Sequence, residues 1–263
     1  MKKILVAIGF LSATILAGAQ SPNNGFLLSG EVIYQDLIKM DIQLEGVDEQ
    51  LAAQIPKERK SEKILHFTEE AALFENHRSE DPDNAVHMEG SGMMIEMYEP
   101  DNKTYIDLIN NKVIEQQEFM SRVFLIESEL EQEKWKLTGK QLNILDYTCQ
   151  EAIAELEGNE VHAWFTPEIG VSVGPGRYRG LPGLVLAVEM NGGDRKLEAT
   201  GIELKPLEKK VLKKPAKGKK VTHEEFENIV AEKMKEMGME GDGTWHGSGG
   251  SGQTSTVVIS IQQ

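Results

Sequence analysis

Cysteine is nearly absent from this chain of 263 residues, which contains only one, Cys149. A single cysteine cannot form a disulfide within the chain, so the fold must be held together by its core. No cationic residue flanks Cys149. The nearby Tyr147 and Ala152 favour a buried small hydrophobic side chain over a reactive thiol.

Basic residues are also scarce, because 28 lysines and arginines face 43 aspartates and glutamates, which gives a formal net charge of −15. A protein with this excess of negative charge repels the phosphate backbone of nucleic acids. The composition therefore excludes nucleic-acid binding through the overall charge, and we expect no nucleic-acid partner.

Long apolar runs are missing except at the N terminus. There, two lysines precede an apolar run over residues 4–16, and the small residues 17–19 form a cleavage site. This pattern predicts a secretory signal peptide over residues 1–19, because the run is shorter than the roughly 20 residues that span a bilayer. We expect an exported protein with no transmembrane span in its mature chain. The periplasm is the first choice of location, and the outer-membrane surface or the medium are the alternatives.

Apolar and polar residues alternate through most of the mature chain, from Phe26 to Leu204. A period of two is typical of half-buried antiparallel strands. Residue types that favour turns separate the alternating runs, at positions 99–103, 110–111, 157–159 and 191–194. The pattern predicts a mainly β fold in one domain over residues 20–240. We expect a single curved antiparallel sheet, a half-barrel-like meander of about eight to ten strands.

One helix is predicted near the C terminus, over residues 223–237. Thr222 and Glu225 form a capping box, and Gly238 ends the helix. An apolar stripe predicts that this amphipathic helix packs on the sheet, and it consists of Phe226, Val230, Met234 and Met237. A glycine- and serine-rich spacer and a terminal strand are expected after it, over residues 241–263.

A loop rich in glycine and proline, GPGRYRGLPG, occupies residues 174–183. It lacks the Gly-Lys-Ser/Thr ending of a phosphate-binding loop, the glycine spacing of a dinucleotide fingerprint and the serine of a nucleophile elbow. We interpret it as a structural corner before a buried strand, with Gly180 or Gly183 at positive φ. The residues that would shape this corner are Gly174, Pro175, Gly180, Leu181, Pro182 and Gly183.

Two arginines of this loop, Arg177 and Arg179, are candidate ligand-binding residues. Tyr178 separates them, so strand-like geometry would place both guanidinium groups on one side, where they could form an anion clamp. The alternative is that both arginines form surface salt bridges with acids such as Glu168 or Glu189. Tyr178 and Trp164 complete the candidate binding set.

A cluster of histidine and methionine is the alternative candidate site. His87, Met88, Met93 and Met97 could bind copper as soft ligands, although methionine also fills apolar strand edges. The sequence has no HExxH zinc motif, and a carboxylate such as Glu168 gains no catalytic role from its spacing. We therefore predict no catalytic residues and no cofactor, and the sequence does not favour an enzyme.

The only basic stretch of this acidic chain, residues 205–220, has eight lysines against one acid, Glu208. We expect it to be a solvated connector between the last strand of the meander and the helix. The alternative is a docking strip for anionic lipid head groups or an acidic partner.

Several short motifs follow one another along the chain. They are Trp135, Thr138-Gly-Lys140, Tyr147-Thr-Cys149, Ala163-Trp-Phe-Thr166 and the hexapeptide Gly180-Leu-Pro-Gly-Leu-Val185. In this order they resemble the GLPGLI family of exported Bacteroidota proteins, with valine in place of the last isoleucine. The family is one of unknown function. The resemblance implies an exported, β-rich protein of a bacterium with two membranes.

Two functions are compatible with these observations. The first is a non-enzymatic protein of the cell envelope whose curved sheet binds a hydrophobic or anionic, lipid-like ligand, or an envelope protein partner. The second is a copper- or zinc-handling or envelope-stress protein that uses the cluster in residues 87–97.

Overall fold

A computed structural model describes residues 28–40, 53–77, 86–90, 93–156, 158–208, 210–236 and 255–260. The predicted signal peptide lies outside these residues, as do Met237 and most of the predicted spacer. No helix in the described part of the chain is long and apolar enough to cross a membrane. The described residues form fifteen strands and one helix, so the mainly β fold class is confirmed.

Twelve of these strands form one large sheet, and the other three form a small sheet. In chain order the strands are β1 (Gly30–Lys39), β2 (Glu58–Phe67), β3 (Ala71–Asn76), β4 (Val86–Gly90), β5 (Met93–Tyr98), β6 (Lys103–Asp107), β7 (Lys112–Phe119), β8 (Arg122–Glu129), β9 (Lys136–Ile144), β10 (Tyr147–Leu156), β11 (Asn159–Thr166), β12 (Leu184–Met190), β13 (Arg195–Leu204), β14 (Lys219–Val221) and β15 (Ser255–Ser260). Helix α1 (His223–Glu236) lies between β14 and β15. The large sheet has the order β14-β8-β7-β6-β3-β2-β1-β13-β12-β11-β10-β9, and the small sheet has the order β15-β5-β4.

Neighbouring strands of the large sheet are antiparallel, as the alternation predicts, except at one edge. There, β14 runs parallel to β8, since the chain passes from the end of β13, within the sheet, to the edge beside β8 before β14 begins. In the small sheet, β15 runs parallel to β5. The large sheet has more strands than expected, partly because β14 forms inside the stretch that was expected to be a connector.

Register shifts bend the large sheet at three places. They lie between Ile33 and Tyr34 in β1, after Gln150 in β10 and after Trp164 in β11. An extra residue in one strand of a pair increases the local bend and twist. The bends turn one face of the sheet inward, and this inner face carries most of the buried apolar side chains.

Paired residues form a continuous row on the inner face. Val32 lies opposite Leu65, and Leu65 lies opposite Phe74. Tyr34, on the same face of β1, donates a hydrogen bond from its hydroxyl to the carbonyl of Val185 at 2.6 Å. This bond ties β1 to β12, so the two halves of the sheet are held around a common core.

The segment between β11 and β12, which contains the glycine- and proline-rich loop, packs onto the inner face. Ile169, Val173 and Leu181 of this segment are buried in the main core. The amide of Leu184 donates to the carbonyl of Ile169 at 3.0 Å, and the amide of Val185 donates to the carbonyl of Val173 at 3.0 Å. The segment is therefore bound to the strand that follows it.

Two glycines allow this segment to turn sharply. Gly180 and Gly183 have φ angles of 82° and 155°, so the predicted positive φ is confirmed. A Cβ atom on Gly183 would lie 2.1 Å from the carbonyl oxygen of Thr166. Only glycine fits there without movement of the backbone.

The lysine-rich stretch is bound to the sheet and is more than a solvated connector. Nζ of Lys205 lies 2.6 Å from a carboxylate oxygen of Glu31, and Nζ of Lys214 donates to Asp107 at 2.6 Å. Leu212 packs against a small apolar cluster of β3 and β6. The hydrogen bond from Lys214 is the main reason why the pKa of Asp107 is lowered to about 2.

Helix α1 begins with the predicted capping box. The amide of Glu225 donates to Oγ1 of Thr222 at 3.1 Å, and the amide of Thr222 donates to Oε2 of Glu225 at 2.8 Å. Phe226 is buried, with its ring 5.3 Å from the ring of Phe124 in β8 in an edge-on arrangement. The helix packs on the sheet, as predicted.

Cys149 is fully buried in the main core. Burial raises the pKa of its thiol to about 11. A thiol with so high a pKa is a poor nucleophile at neutral pH. The interpretation of Cys149 as a small hydrophobic core residue is confirmed.

A buried carboxylate joins the three strands at the other edge of the large sheet. Glu151 of β10, with 3% of its side chain exposed, accepts from Thr138 of β9 at 2.5 Å and lies 2.9 Å from Nδ1 of His162 in β11. Burial raises the pKa of Glu151, but the hydrogen bonds from Thr138, His162 and Lys140 outweigh burial and hold it at about 2. Hydrogen bonds to Glu151 and Glu160 raise the pKa of His162.

Replacing Gly183 by alanine should destabilise the fold. The added methyl group would collide with the carbonyl of Thr166. We expect a loss of at least about 1 kcal/mol in the free energy of unfolding, measured by urea denaturation. Gly170→Ala is the matched control, because a Cβ atom on Gly170 meets no atom within 4 Å. Equal stability of the two variants would contradict the close approach at Gly183.

His162 should make the stability depend on pH. Its pKa is raised in the folded state, so its charged form stabilises the fold fully below the ordinary pKa of about 6.5. This contribution is lost as the pH rises through the folded-state pKa. In urea denaturation, His162→Gln should therefore lose more stability at about pH 5.5 than at about pH 8.5. His77→Gln, which removes a pair with the exposed Glu62, is the control. Equal losses at both pH values in His162→Gln would refute the expectation.

Candidate functional site

A cavity of about 1000 Å³ lies between the inner face of the large sheet and helix α1. Its lining comes from three sources, which are the strands on either side of β1 and β2, the loop between β11 and β12, and the helix. The volume lies at the upper end of the range of roughly 300–1000 Å³ that is typical of small-molecule sites. This cavity is the candidate functional site.

The first wall of the cavity is formed by β3, β6, β7 and β8. Phe74, Thr104, Glu115 and Ile126 line it, and each lies opposite the next in the strand register. Paired residues point to the same face of a sheet, so the register alone brings these four side chains together. The first wall therefore presents two apolar side chains, Phe74 and Ile126, beside the hydroxyl of Thr104 and the carboxylate of Glu115.

The second wall is formed by β10 to β13. Val161, Met190 and Arg195 line it, again as paired neighbours in successive strands. Leu156, Asn159 and Leu197 complete this wall. It is mostly apolar and presents one guanidinium group.

Helix α1 covers the cavity. Phe226, Val230 and Met234, which occupy successive turns, line it with the apolar stripe that the sequence predicts. Phe226 is the buried residue of the described helix, whereas Val230 and Met234 are half-buried. The helix is therefore anchored at its N-terminal end, and its later turns cover the cavity with less support from the sheet.

The guanidinium group of Arg195 is held in the wall by a buried carboxylate. Its Nε and Nη2 donate to the two oxygens of Asp36 at 3.0 and 2.7 Å, and 1% of the Asp36 side chain is exposed. Burial lowers the pKa of Arg195, but Asp36 outweighs burial and raises it above its ordinary value. A two-point pair of this kind fixes the plane of the guanidinium group.

A second buried charge, Lys63 of β2, lies on the inner face of the large sheet. Nζ of Lys63 donates to Glu99 at 2.5 Å and to Asn76 at 2.7 Å, and 1% of the Lys63 side chain is exposed. Burial lowers the pKa of Lys63, and the charges of Glu99 and Asp36 offset part of that effect. The inner face beside the cavity thus holds charges of both signs in fixed positions.

Two of the four predicted ligand-binding residues, Arg177 and Tyr178, line the cavity. Arg177 is half-buried, whereas Tyr178 is buried. The hydroxyl of Tyr178 donates to Sδ of Met190 at 2.8 Å. The loop therefore brings one guanidinium group and one aromatic ring to the cavity, beside the second wall.

Arg179 and Trp164, the other two predicted residues, do not line the cavity. Arg179 is buried with 8% exposure, which lowers its pKa, and its Nη1 donates to the carbonyl of Arg177 at 3.2 Å. Trp164 is half-buried and packs against the main core. Arg177 lies in a turn that the amide of Tyr178 closes by donating to the carbonyl of Pro175 at 3.2 Å. The loop is therefore not a strand, and the two arginines do not share one side.

Glu168 does not line the cavity. Glu168 accepts a hydrogen bond from the amide of Thr148 at 3.0 Å. The side chains of the predicted metal cluster, His87, Met88, Met93 and Met97, lie outside the described part of the structure. Among the described residues, no group of three histidine, cysteine, aspartate or glutamate side chains could hold a metal ion. The metal hypothesis stays a prediction.

Sequence reasoning missed Arg195 and its partner Asp36. The two residues are 159 positions apart, so no spacing rule connects them. One signal for Asp36 was present in the sequence. Val32, Tyr34 and Asp36 are two positions apart and share one face of β1. A carboxylate on a buried face needs a partner that donates hydrogen bonds, so this pattern indicated that Asp36 is paired. The identity of that partner depended on the pairing of β1 with β13.

A family model described as "N-glycanase peptide, N-terminal domain" matches residues 88–226, which is more than half of the chain. This range includes the first wall from β6 to β8, the whole second wall and the first turn of α1. No curated protein sequence matches the chain.

Two solved structures of PNGF-II have a similar fold. The crystal form in space group C2 has a TM-score of 0.52 and 19% sequence identity, and the form in P21 has a TM-score of 0.52 and 18% identity. Each match covers 77% of this chain, and 32% and 33% of the PNGF-II chains. This chain thus spans about a third of the length of the solved proteins that it matches.

Proposed function

This chain belongs to the family of N-glycanase N-terminal domains, and from that membership and from the cavity we propose that it is a ligand-binding module. The observation that carries the proposal is the cavity of about 1000 Å³ between the sheet and α1. Ligand sites are typically concave and mostly apolar, with a few fixed polar groups, and this cavity has that composition.

The apolar part of the lining supports binding of an apolar ligand or ligand segment. Phe74, Ile126, Val161, Val230 and Met234 present rings and aliphatic side chains toward one space. Burial of apolar surface contributes roughly 25 cal/mol per Å², so such a lining favours a ligand that carries apolar surface of its own. The module acts by holding this ligand between the sheet and α1.

Export to the cell envelope is part of the proposal. The signal-peptide pattern of residues 1–19 and the resemblance to the exported GLPGLI family both support it. A module that encloses an apolar ligand would carry or hold lipid-like molecules or exposed protein segments in that compartment. Fractionation of cells that express the full chain, followed by N-terminal sequencing, tests the export and the cleavage after Ala19.

The family match favours a second candidate function, in glycan processing. The matching family is named for the N-terminal domain of an N-glycanase, and PNGF-II contains a region of the same fold. In this case the module would help to position an N-glycosylated peptide. An assay of N-glycan release, with and without a partner glycanase, distinguishes this role from ligand storage.

The metal-handling alternative rests on His87, Met88, Met93 and Met97. Elemental analysis of protein purified from the cell envelope tests it directly. Stoichiometric copper or zinc would favour metal handling, and co-purified lipid would favour the cavity.

Filling the cavity should abolish the binding of apolar molecules. We expect Val230→Trp to weaken the binding of N-phenyl-1-naphthylamine, a neutral fluorescent probe, by about tenfold or more, because the indole would occupy the space under α1. Asn228→Trp is the matched control, because Asn228 is exposed on the same helix and does not line the cavity.

The measurement is a fluorescence titration of each variant, with thermal unfolding to verify that both are folded. Equal probe affinity of the unsubstituted protein and both variants would show that the probe binds elsewhere. Absence of probe binding to the unsubstituted protein would contradict the proposed function.

A further inference from the structure

We infer that the ligand of this cavity is a single-chain amphiphile with an oxyanion head, held by Arg195 and Arg177, and an apolar chain that lies under α1. The inference rests on the proposed function and specifies its ligand class. The oxyanion could be a carboxylate or a phosphate monoester, since both match a planar guanidinium group.

The guanidinium groups of the lining lie on one side of the cavity, and an apolar cluster lies on the other side. Arg195 lies on β13, in the second wall, and Arg177 lies on the loop beside that wall. Ile126 belongs to β8, on the first wall, and packs in a cluster with Phe226 of α1. β1 and β2 lie between the two walls in the sheet. A ligand that contacts both the guanidinium group of Arg195 and the cluster of Ile126 and Phe226 therefore has a polar end and an apolar end.

Arg195 is suited to hold an acceptor because it is already fixed in place. A guanidinium group has five N–H donors, and Asp36 accepts from Nε and Nη2. Nη1 is thus not engaged by Asp36, and Arg195 is a lining residue of the cavity. Only 14% of the side chain is exposed, so a hydrogen bond to an anion is strengthened by the low local dielectric. No side-chain ordering is needed on binding, since Asp36 has already fixed the plane.

Two carboxylates define where the head cannot lie. Glu115 lines the first wall, and Glu227 lines the cavity from α1. Both would repel an anionic head, whereas the second wall presents the guanidinium group of Arg195. Lys235 also lines the cavity, but it is exposed in the last turn of α1. The charges fixed on the sheet, Glu115 on the first wall and Arg195 on the second, orient the amphiphile with its head against the second wall and its chain toward β8 and the helix.

Four molecules with the same twelve-carbon chain test the head group: laurate, dodecyl phosphate, dodecanol and dodecyltrimethylammonium. Each compound is titrated into folded protein that carries bound N-phenyl-1-naphthylamine, and the loss of probe fluorescence is measured. The concentration of each compound stays below its critical micelle concentration, and the salt concentration is constant. We expect at least one anionic compound to bind about tenfold or more tightly than dodecanol, and the cation to bind most weakly. The ratio of laurate to dodecyl phosphate affinity distinguishes a fatty-acid head from a phosphate head.

Variants of Arg177 and Arg195 test whether these residues cause the preference for an anionic head. Arg177→Gln should weaken the binding of the preferred anion by about tenfold and leave dodecanol unchanged. Removing Arg195 alone would leave Asp36 buried without its partner, so the second variant is Arg195→Gln combined with Asp36→Asn, which keeps the pair neutral. We expect the same selective loss in this double variant. Arg122→Gln, an exposed arginine of β8 outside the lining, is the control.

The outcomes separate this inference from the proposed function. If dodecanol or the cation binds as tightly as both anions, the oxyanion head is refuted and the apolar binding module stands. If the anions are preferred but neither arginine variant changes the preference, the assignment of the head to Arg177 and Arg195 is refuted. If neither the probe nor any of the four compounds binds, both the inference and the proposed function are refuted.

Discussion

The packing of the segment between β11 and β12 onto the inner face is the constraint on which the rest of the structure depends. A curved sheet with one apolar face needs a cover, and this segment supplies part of it with Ile169, Val173 and Leu181. Its backbone passes so close to Thr166 that position 183 admits only glycine. Helix α1 covers another part of the face through Phe226. The space left between the two covers is the cavity, and the same segment presents Arg177 and Tyr178 to it.

The inner face carries charges that a simple apolar core would not need. Asp36 with Arg195, and Lys63 with Glu99, are paired within hydrogen-bonding distance on a face that is otherwise mostly apolar. Removing two charges from water costs free energy that their attraction regains only in good geometry, so such pairs are weak evidence of a contribution to stability. The first pair has another use in the proposed function, since Asp36 holds the guanidinium group of Arg195 rigidly at the wall of the cavity.

Several parts of the fold could be predicted because they depend on neighbours in the chain. The alternation from Phe26 to Leu204 indicated strands, since successive side chains of a strand point to opposite faces. Thr222 and Glu225 indicated the start of the helix, because a capping box is complete within four residues. The lysine-rich stretch was harder, because its order comes from distant partners such as Glu31 and Asp107, and no local pattern reveals them.

The sequence by itself determined the mainly β class, the helix with its apolar stripe, and the backbone freedom required in the loop, since each depends on local geometry and residue type. Only the tertiary structure decided which polar residues share one space. The strand register brought Arg195 to Asp36 across 159 positions. The turn over residues 175–178 placed Arg177 at the cavity, whereas Arg179, beyond the turn, is buried against the loop. The physical reason is that register and loop path are set by the packing of the whole sheet, and no single segment contains that information.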